Sequence, residues 1–401
     1  MAAPDAQLFW LSAAVPNDQF LVYAFEGTPR LAEGLEEVRR SALGYPDLGV
    51  RVADDSRWRY PRWQRCEVSP GQFVVHSATD RQGCLDAVAG LGQLDATRMA
   101  WRLHVFPPAF VVAQIAHCLG DGTRAAALAA ALLGRNVAID PLPPARRGFL
   151  PARAVTAARA HRRLVRDIEA GVIAPPSPPR PLLSVNAPRS GASVLRTVVV
   201  DRDRLRRPTV TVGALAAVSD ALAGYLAARG EDISRLGAEV PLAGGGVRRA
   251  RNNFRNANLD LHPESAPPVR AARIAAELEA QRRRAGHPAT AAADAAFAAV
   301  PAWLLRWGVR HFDPAARPAT VAAHTVMSSV YRGPADLSFG GSPVSFTAGF
   351  PALSPMMGLT HGVHGIGDTV AISVHADPVA VDVDDYLDRL TFALSVRPGE
   401  F

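Results

Sequence analysis

Short apolar runs of strand length alternate with segments of helical period along the first 135 residues. Residues 20–25, 58–68, 72–76, 101–105 and 110–117 read as strands, being rich in Val, Phe, Trp and Tyr. Leu31, Leu35 and Val38 recur at helical spacing and predict a helix over 30–43. Residues 85–93 and the small-residue run 122–133 read as helices, the second closed by Gly134. Residues 5–12 read as a short helix or turn, and Pro107-Pro108 forces a turn between two strands.

The pattern changes at 137–190, where a basic helical stretch over 153–173 leads into a Pro-rich extended connector at 174–181. It then resumes. Strands are predicted at 194–200, 239–242, 257–261, 325–330, 343–346 and 370–375, with helices at 211–228, 269–284 and 385–394, the last capped by Asp382. Both halves mix strand and helix, so the fold class is α/β or α+β in two lobes. The expected division is an N-terminal lobe at 1–150, a crossover helix and linker at 151–190 and a C-terminal lobe at 191–401.

Length and composition fit that reading. The chain has 401 residues, 48% hydrophobic and 20% charged, which excludes a disordered or fibrous protein. Three cysteines without a C-x-x-C pair argue against a disulfide framework and a structural zinc site, so a reducing cytoplasm is the expected location. The net charge is +7, and all 44 basic residues are arginine. No basic N-terminal signal and no uninterrupted apolar stretch of membrane-spanning length is read.

Absences narrow the chemistry. Without lysine there is no Walker A loop, and neither a Gly-x-Gly-x-x-Gly turn nor a Gly-x-Ser-x-Gly elbow is present. His361-Gly-Val-His364 has metal-ligand spacing but reads as a loop, so no metal is expected. The Arg162-Arg163 and Arg282–Arg284 runs lack interleaved aromatics and predict no nucleic-acid binding. Residues 295–312 place Phe297, Trp303, Leu304, Trp307 and Phe312 among arginines. That is the pattern of a core helix broken at Pro301 or of a peripheral contact with an anionic membrane.

The stretch that carries chemistry is Ala116-His-Cys-Leu-Gly-Asp-Gly122. An apolar strand delivers His117 to a tight turn before a helix, a place suited to a general base. Asp121 is expected to hold the turn by pairing with an arginine, and Gly122 to let a substrate pass close to the backbone.

This heptad resembles the HHxxxDG motif of the CoA-dependent acyltransferase superfamily, with His117 as the second, catalytic histidine and Ala116 in place of the first. Residues 94–102 resemble a segment of the bacterial wax ester synthase/diacylglycerol acyltransferase family that precedes this motif. Residues 211–216, 245–261 and 327–341 resemble that family's later motifs, so the likeness runs over most of the chain. The resemblance implies a two-lobed chloramphenicol-acetyltransferase-like fold with a tunnel between the lobes. It implies an acyl thioester donor, coenzyme A or an acidic carrier protein, an alcohol or amine acceptor, and no cofactor. Ser328 and Ser329 are oxyanion candidates, and Arg248, Arg249 and Arg251 are candidates for meeting the donor's phosphates. A non-catalytic lipid-binding or scaffold protein on the same fold is the other reading, because the first histidine is lost.

Overall fold

In the computed structural model, residues 1–139, 141–143 and 148–395 are described. The helices are α1 (Ala3–Leu11), α2 (Leu31–Gly44), α3 (Arg81–Ala89), α4 (Gly122–Leu132), α5 (Leu150–Glu169), α6 (Val210–Ala227), α7 (Pro267–Ala285), α8 (Pro288–Phe297), α9 (Ala302–Arg310) and α10 (Val383–Ser395). The N-terminal strands are β1 (Gln19–Phe25), β2 (Val50–Ala53), β3 (Arg62–Arg65), β4 (Phe73–Val75), β5 (Trp101–Phe106) and β6 (Phe110–Ile115). The later strands are β7 (Arg180–Pro181), β8 (Val194–Asp201), β9 (Gly237–Ala243), β10 (Phe254–Asp260), β11 (Thr320–Val321) and β12 (Thr325–Tyr331). They continue with β13 (Ser338–Phe339), β14 (Ser342–Phe350), β15 (Leu359–Ile366) and β16 (Thr369–Ala376).

Two six-stranded sheets organise the molecule, in the orders β13-β14-β1-β6-β5-β4 and β10-β9-β12-β15-β16-β8. The first carries a core that includes Tyr23, Trp101, Ile115 and Leu128 under α2 and α4. The second is covered by α6 and α10, whose Leu222, Leu226, Tyr386 and Leu390 are almost completely buried. α6 is long and apolar enough to cross a membrane, yet two-thirds of it is buried, as befits a core helix. α4 is built of alanine and leucine, buried on most of its surface, and starts where the Asp121 carboxylate accepts from the Arg124 N–H at 3.0 Å.

The two sheets do not respect the expected lobe boundary. β14 pairs antiparallel with β1 along Phe20–Phe25, so residues 338–350 of the expected C-terminal lobe complete the N-terminal sheet. Val22, Ala24, Phe346, Ala348 and Ala371 then pack as one cluster between the sheets. A strand lent across the junction ties the lobes by backbone hydrogen bonds as well as by side chains.

Residues 361–365 are also not a loop. They are the middle of β15, paired parallel with β12 and antiparallel with β16. The glycines that argued for a loop serve close packing, since a Cβ on Gly362 would lie 1.9 Å from the Gly349 carbonyl oxygen. Residues 291–312 split into α8 and α9, bent by 94° where Pro301 precedes the second helix. Trp303, Trp307 and Phe312 stay about half exposed, whereas Arg306 is turned in against Asp54 and the Trp10 ring.

Candidate active site

β6 ends at Ile115, and His117 opens a short turn, His117–Leu119, between that strand and α4. The imidazole is half-buried in the wall of a cavity of about 400 Å³ that runs between the sheets. Its Nδ1 lies 2.9 Å from Asn252 Oδ1. The orientation of that amide follows from its other contacts. Asn252 Nδ2 donates to Asp5 Oδ1 at 3.0 Å and to the His117 carbonyl at 2.9 Å, both of which only accept. Asn252 Oδ1 therefore faces the ring, and His117 Nδ1 must carry the proton it donates. Nε2 is left with its lone pair, and among the described residues no protein group bonds it. Burial pushes the His117 pKa below its ordinary value, against the weaker opposing pull of Asn252, Asp121 and Asp5. The ring is therefore neutral near neutral pH.

Asp5, on α1, is buried to 1% exposure and accepts from the Arg251 N–H at 3.0 Å and the Asn252 N–H at 2.8 Å. Desolvation raises its pKa despite those bonds. A residue near the start of the chain thus anchors one from the second half, which in turn orients the histidine.

Asp121 is buried at 4% exposure. Besides capping α4, it takes the Arg248 guanidinium at 2.8 Å and the Asn253 N–H at 2.8 Å. Arg251 is likewise turned inward. It reaches Asp47 at 2.5 Å, beside Arg124 on the same carboxylate, and its guanidinium lies over the Trp63 ring. Two of the three arginines expected to meet a donor's phosphates are thus engaged within the protein, and Arg249 alone is exposed. Their pairing with Asp121 and Asp47 clamps the loop at 248–253 onto the histidine turn.

Ala116 is 2% exposed and packs with Val52, Ala96 and Cys118, away from the cavity. Gly122 lines the cavity, where a Cβ would meet Val330 Cγ2 at 3.3 Å. Ser328 and Ser329, on β12, both line the cavity, and Ser329 Oγ is held by Thr211 Oγ1 at 2.9 Å. A second cavity of about 180 Å³ shares Asp18, Phe20, Phe350 and Ala352 with the first, and its wall mixes Val88, Leu91, Leu195 and Leu353 with Gln93, Arg189, Ser193 and His375. Among the described residues no cluster of metal-ligating side chains occurs. His361 is bonded on both ring nitrogens, to Thr325 Oγ1 at 2.8 Å and the Tyr386 hydroxyl at 2.7 Å.

Asp5 and Asn252 had no signal in the sequence beyond an Arg/Asn-rich loop between strands. They are distant along the chain, and only the fold joins them to His117.

Residues 252–396 match the family model described as the WS/DGAT C-terminal domain. No curated protein sequence matches the chain. Over 98% of its length the fold superposes on the wax ester synthase/diacylglycerol acyltransferase from Marinobacter aquaeolei VT8, covering 97% of that chain at 17% identity and a TM-score of 0.61. It superposes equally on a mutant of the starter condensation domain of rhizomide synthetase RzmA in complex with C8-CoA and Leu-SNAC, with 16% identity, 93% of that chain and a TM-score of 0.60. The first condensation domain of the CDA synthetase matches at 14% identity, 94% of that chain and a TM-score of 0.60.

Proposed function

We propose that this chain, which carries a WS/DGAT C-terminal domain on the fold shared by wax ester synthase and condensation domains, is an acyltransferase. It moves an acyl group from a thioester to an alcohol or amine. The observation that carries the reading is the Asp5–Asn252–His117 chain, which fixes a neutral imidazole with Nε2 free in a cavity between two lobes.

The chemistry follows from that geometry. His117 Nε2 takes the proton of the acceptor O–H or N–H as the acceptor's lone pair attacks the thioester carbonyl carbon. The new C–O or C–N bond forms, and the carbonyl oxygen carries the negative charge of the tetrahedral species. The C–S bond then breaks, and the proton on Nε2 passes to the departing sulfur. No covalent bond to the protein is needed when donor and acceptor are held together. Ser328, whose hydroxyl bonds no protein group among the described residues, is the oxyanion donor in this reading, with Ser329 held in place by Thr211. The side of the smaller cavity formed by Val88, Leu91, Leu195 and Leu353 suits the acyl chain. The proposal is for a protein of the cytoplasm, with the exposed Trp303, Trp307 and Phe312 touching an anionic membrane surface. Flotation with anionic vesicles reads that contact.

The test is release of free thiol from a series of acyl-CoA donors with alcohol and amine acceptors. Release above buffer that is lost in His117→Ala supports the enzyme. Saturable binding of acyl chains without release identifies a lipid-binding scaffold instead.

A further inference from the structure

Among the described residues five arginines are buried to 6% exposure or less: Arg124, Arg180, Arg251, Arg270 and Arg332. Four of them are paired with aspartates, namely Asp47 for Arg124 and Arg251, Asp260 for Arg180 and Asp220 for Arg270. Arg332 is the exception. It follows β12, and its guanidinium lies in the wall of the His117 cavity. Its Nη1 donates to Thr347 Oγ1 and to the Ala348 carbonyl at 3.0 Å, and it stands 5.3 Å from the centre of the Tyr23 ring. Among the described residues no carboxylate reaches it. The three acids in the same wall are engaged elsewhere: Asp18 by Gln93 and Gln114, Asp121 by Arg248, and Glu239 by Asn256.

The surroundings keep room beside this cation. Tyr23 and His364 are its ionisable neighbours, and burial holds both neutral. His364 Nδ1 is buried without a partner among the described residues. A Cβ on Gly349 would lie 2.7 Å from Arg332 Nη2 and 2.7 Å from His364 Cε1, so the absence of a side chain there opens the slot that holds both. A lone buried cation is costly, and buried charges are ordinarily paired. This one faces a substrate-sized cavity.

We propose that Arg332 anchors a carboxylate borne by the substrate, so that the cavity takes a carboxylated acceptor or a carboxylated acyl chain. This rests on the acyltransferase reading only for the word substrate. A single guanidinium balances a single carboxylate, whereas a phosphate dianion would leave excess charge in the same buried slot.

Binding and turnover are tested separately. Calorimetry with hexanoate and hexanamide, on wild type, Arg332→Gln and His117→Ala, reads the anchor without catalysis. Wild type and His117→Ala are expected to bind hexanoate about tenfold or more tighter than hexanamide, the scale of one charge-assisted hydrogen bond. Arg332→Gln loses the preference while keeping or raising its melting temperature, because an unpaired buried charge has been removed. Arg332→Met serves if the glutamine variant does not fold. Equal affinity for the two probes in wild type, or a preference that survives in Arg332→Gln or Arg332→Met, overturns the proposal.

Thiol release then locates the carboxylate. Higher kcat/KM for 6-hydroxyhexanoate than for 6-hydroxyhexanamide with hexanoyl-CoA places it on the acceptor. Higher kcat/KM for adipoyl-CoA than for hexanoyl-CoA with hexan-1-ol places it on the acyl chain. A carboxylate preference in binding without thiol release from any donor keeps the site and refutes the acyltransferase reading.

Discussion

Two parts of the wall of the central cavity are built on opposite principles. Around His117, Asp5, Asn252, Asp121, Arg248 and Asn253 form a network in which the Asn252 amide and both carboxylates are matched to donors and acceptors. Elsewhere in the wall, Arg332 is buried with its charge unmatched among the described residues, beside a histidine whose Nδ1 has no partner among them. A satisfied network holds its members in one arrangement and so suits the proposed role of His117 as a base that keeps one tautomer. An unsatisfied buried cation gains most when a counter-charge arrives. The comparison separates the groups that position the chemistry from the group that awaits a ligand.

The largest effect that would sharpen this contrast is at His117. His117→Ala is expected to lower turnover by about 10²–10⁴-fold, the worth of general-base catalysis, while leaving the melting temperature and acyl-CoA binding nearly unchanged. Loss of donor binding in step with turnover would make the ring a binding group. Asp121→Ala should act on the fold first. Removing one partner of a buried ion pair costs about 3–5 kcal/mol, read as a lower midpoint in urea unfolding. Wild-type stability in that variant would show that the clamp from Arg248 to the histidine turn is not what holds the junction.

Asn252→Ala is expected to be milder. It removes the acceptor that fixes Nδ1–H, at about 1.5–3 kcal/mol, and should lower kcat about ten- to a hundredfold with little change in the KM of the donor. The pH profile checks the same arrangement. His117 must be neutral to act, and burial lowers its folded pKa, so kcat/KM should fall as pH drops through a midpoint below 6.5 and stay flat above it. A midpoint above 6.5 would mean that a carboxylate, not desolvation, governs the ring. The smallest effect is expected at Ala116. It packs among Val52, Ala96 and Cys118, so Ala116→His should raise the rate no more than a few-fold and cost about 1–3 kcal/mol of stability through overpacking.

Most of the secondary structure was legible along the chain. β1, β5, β8, β12 and β16 stand where runs of Val, Ile, Phe and Trp predict strands, and α2, α4, α6 and α7 where the helical period does. Two local predictions missed. Residues 58–68 keep only the short strand β3, paired with β2 as a two-stranded ribbon, and 361–365 became a central strand. In the second case glycine was read as a breaker. The tight approach of β14 to β15 is a tertiary fact that a local pattern does not contain.

The sequence by itself determined the two-lobed α/β class, the strand–turn–helix that presents His117, and the likeness of the heptad to an acyltransferase motif. Those are local properties, set by periodicity, turn residues and capping over fewer than twenty positions. Only the tertiary structure decided which partners close the site. Asp5 and Asn252 meet across 247 positions, β14 leaves its own half to join β1, and Arg248 and Arg251 turn inward to aspartates. The same holds for Arg332, which the fold leaves without a carboxylate among the described residues. Whether a charge is paired or waiting depends on what the fold brings within reach through a low-dielectric interior, and that distance is not written in the spacing of residues along the chain.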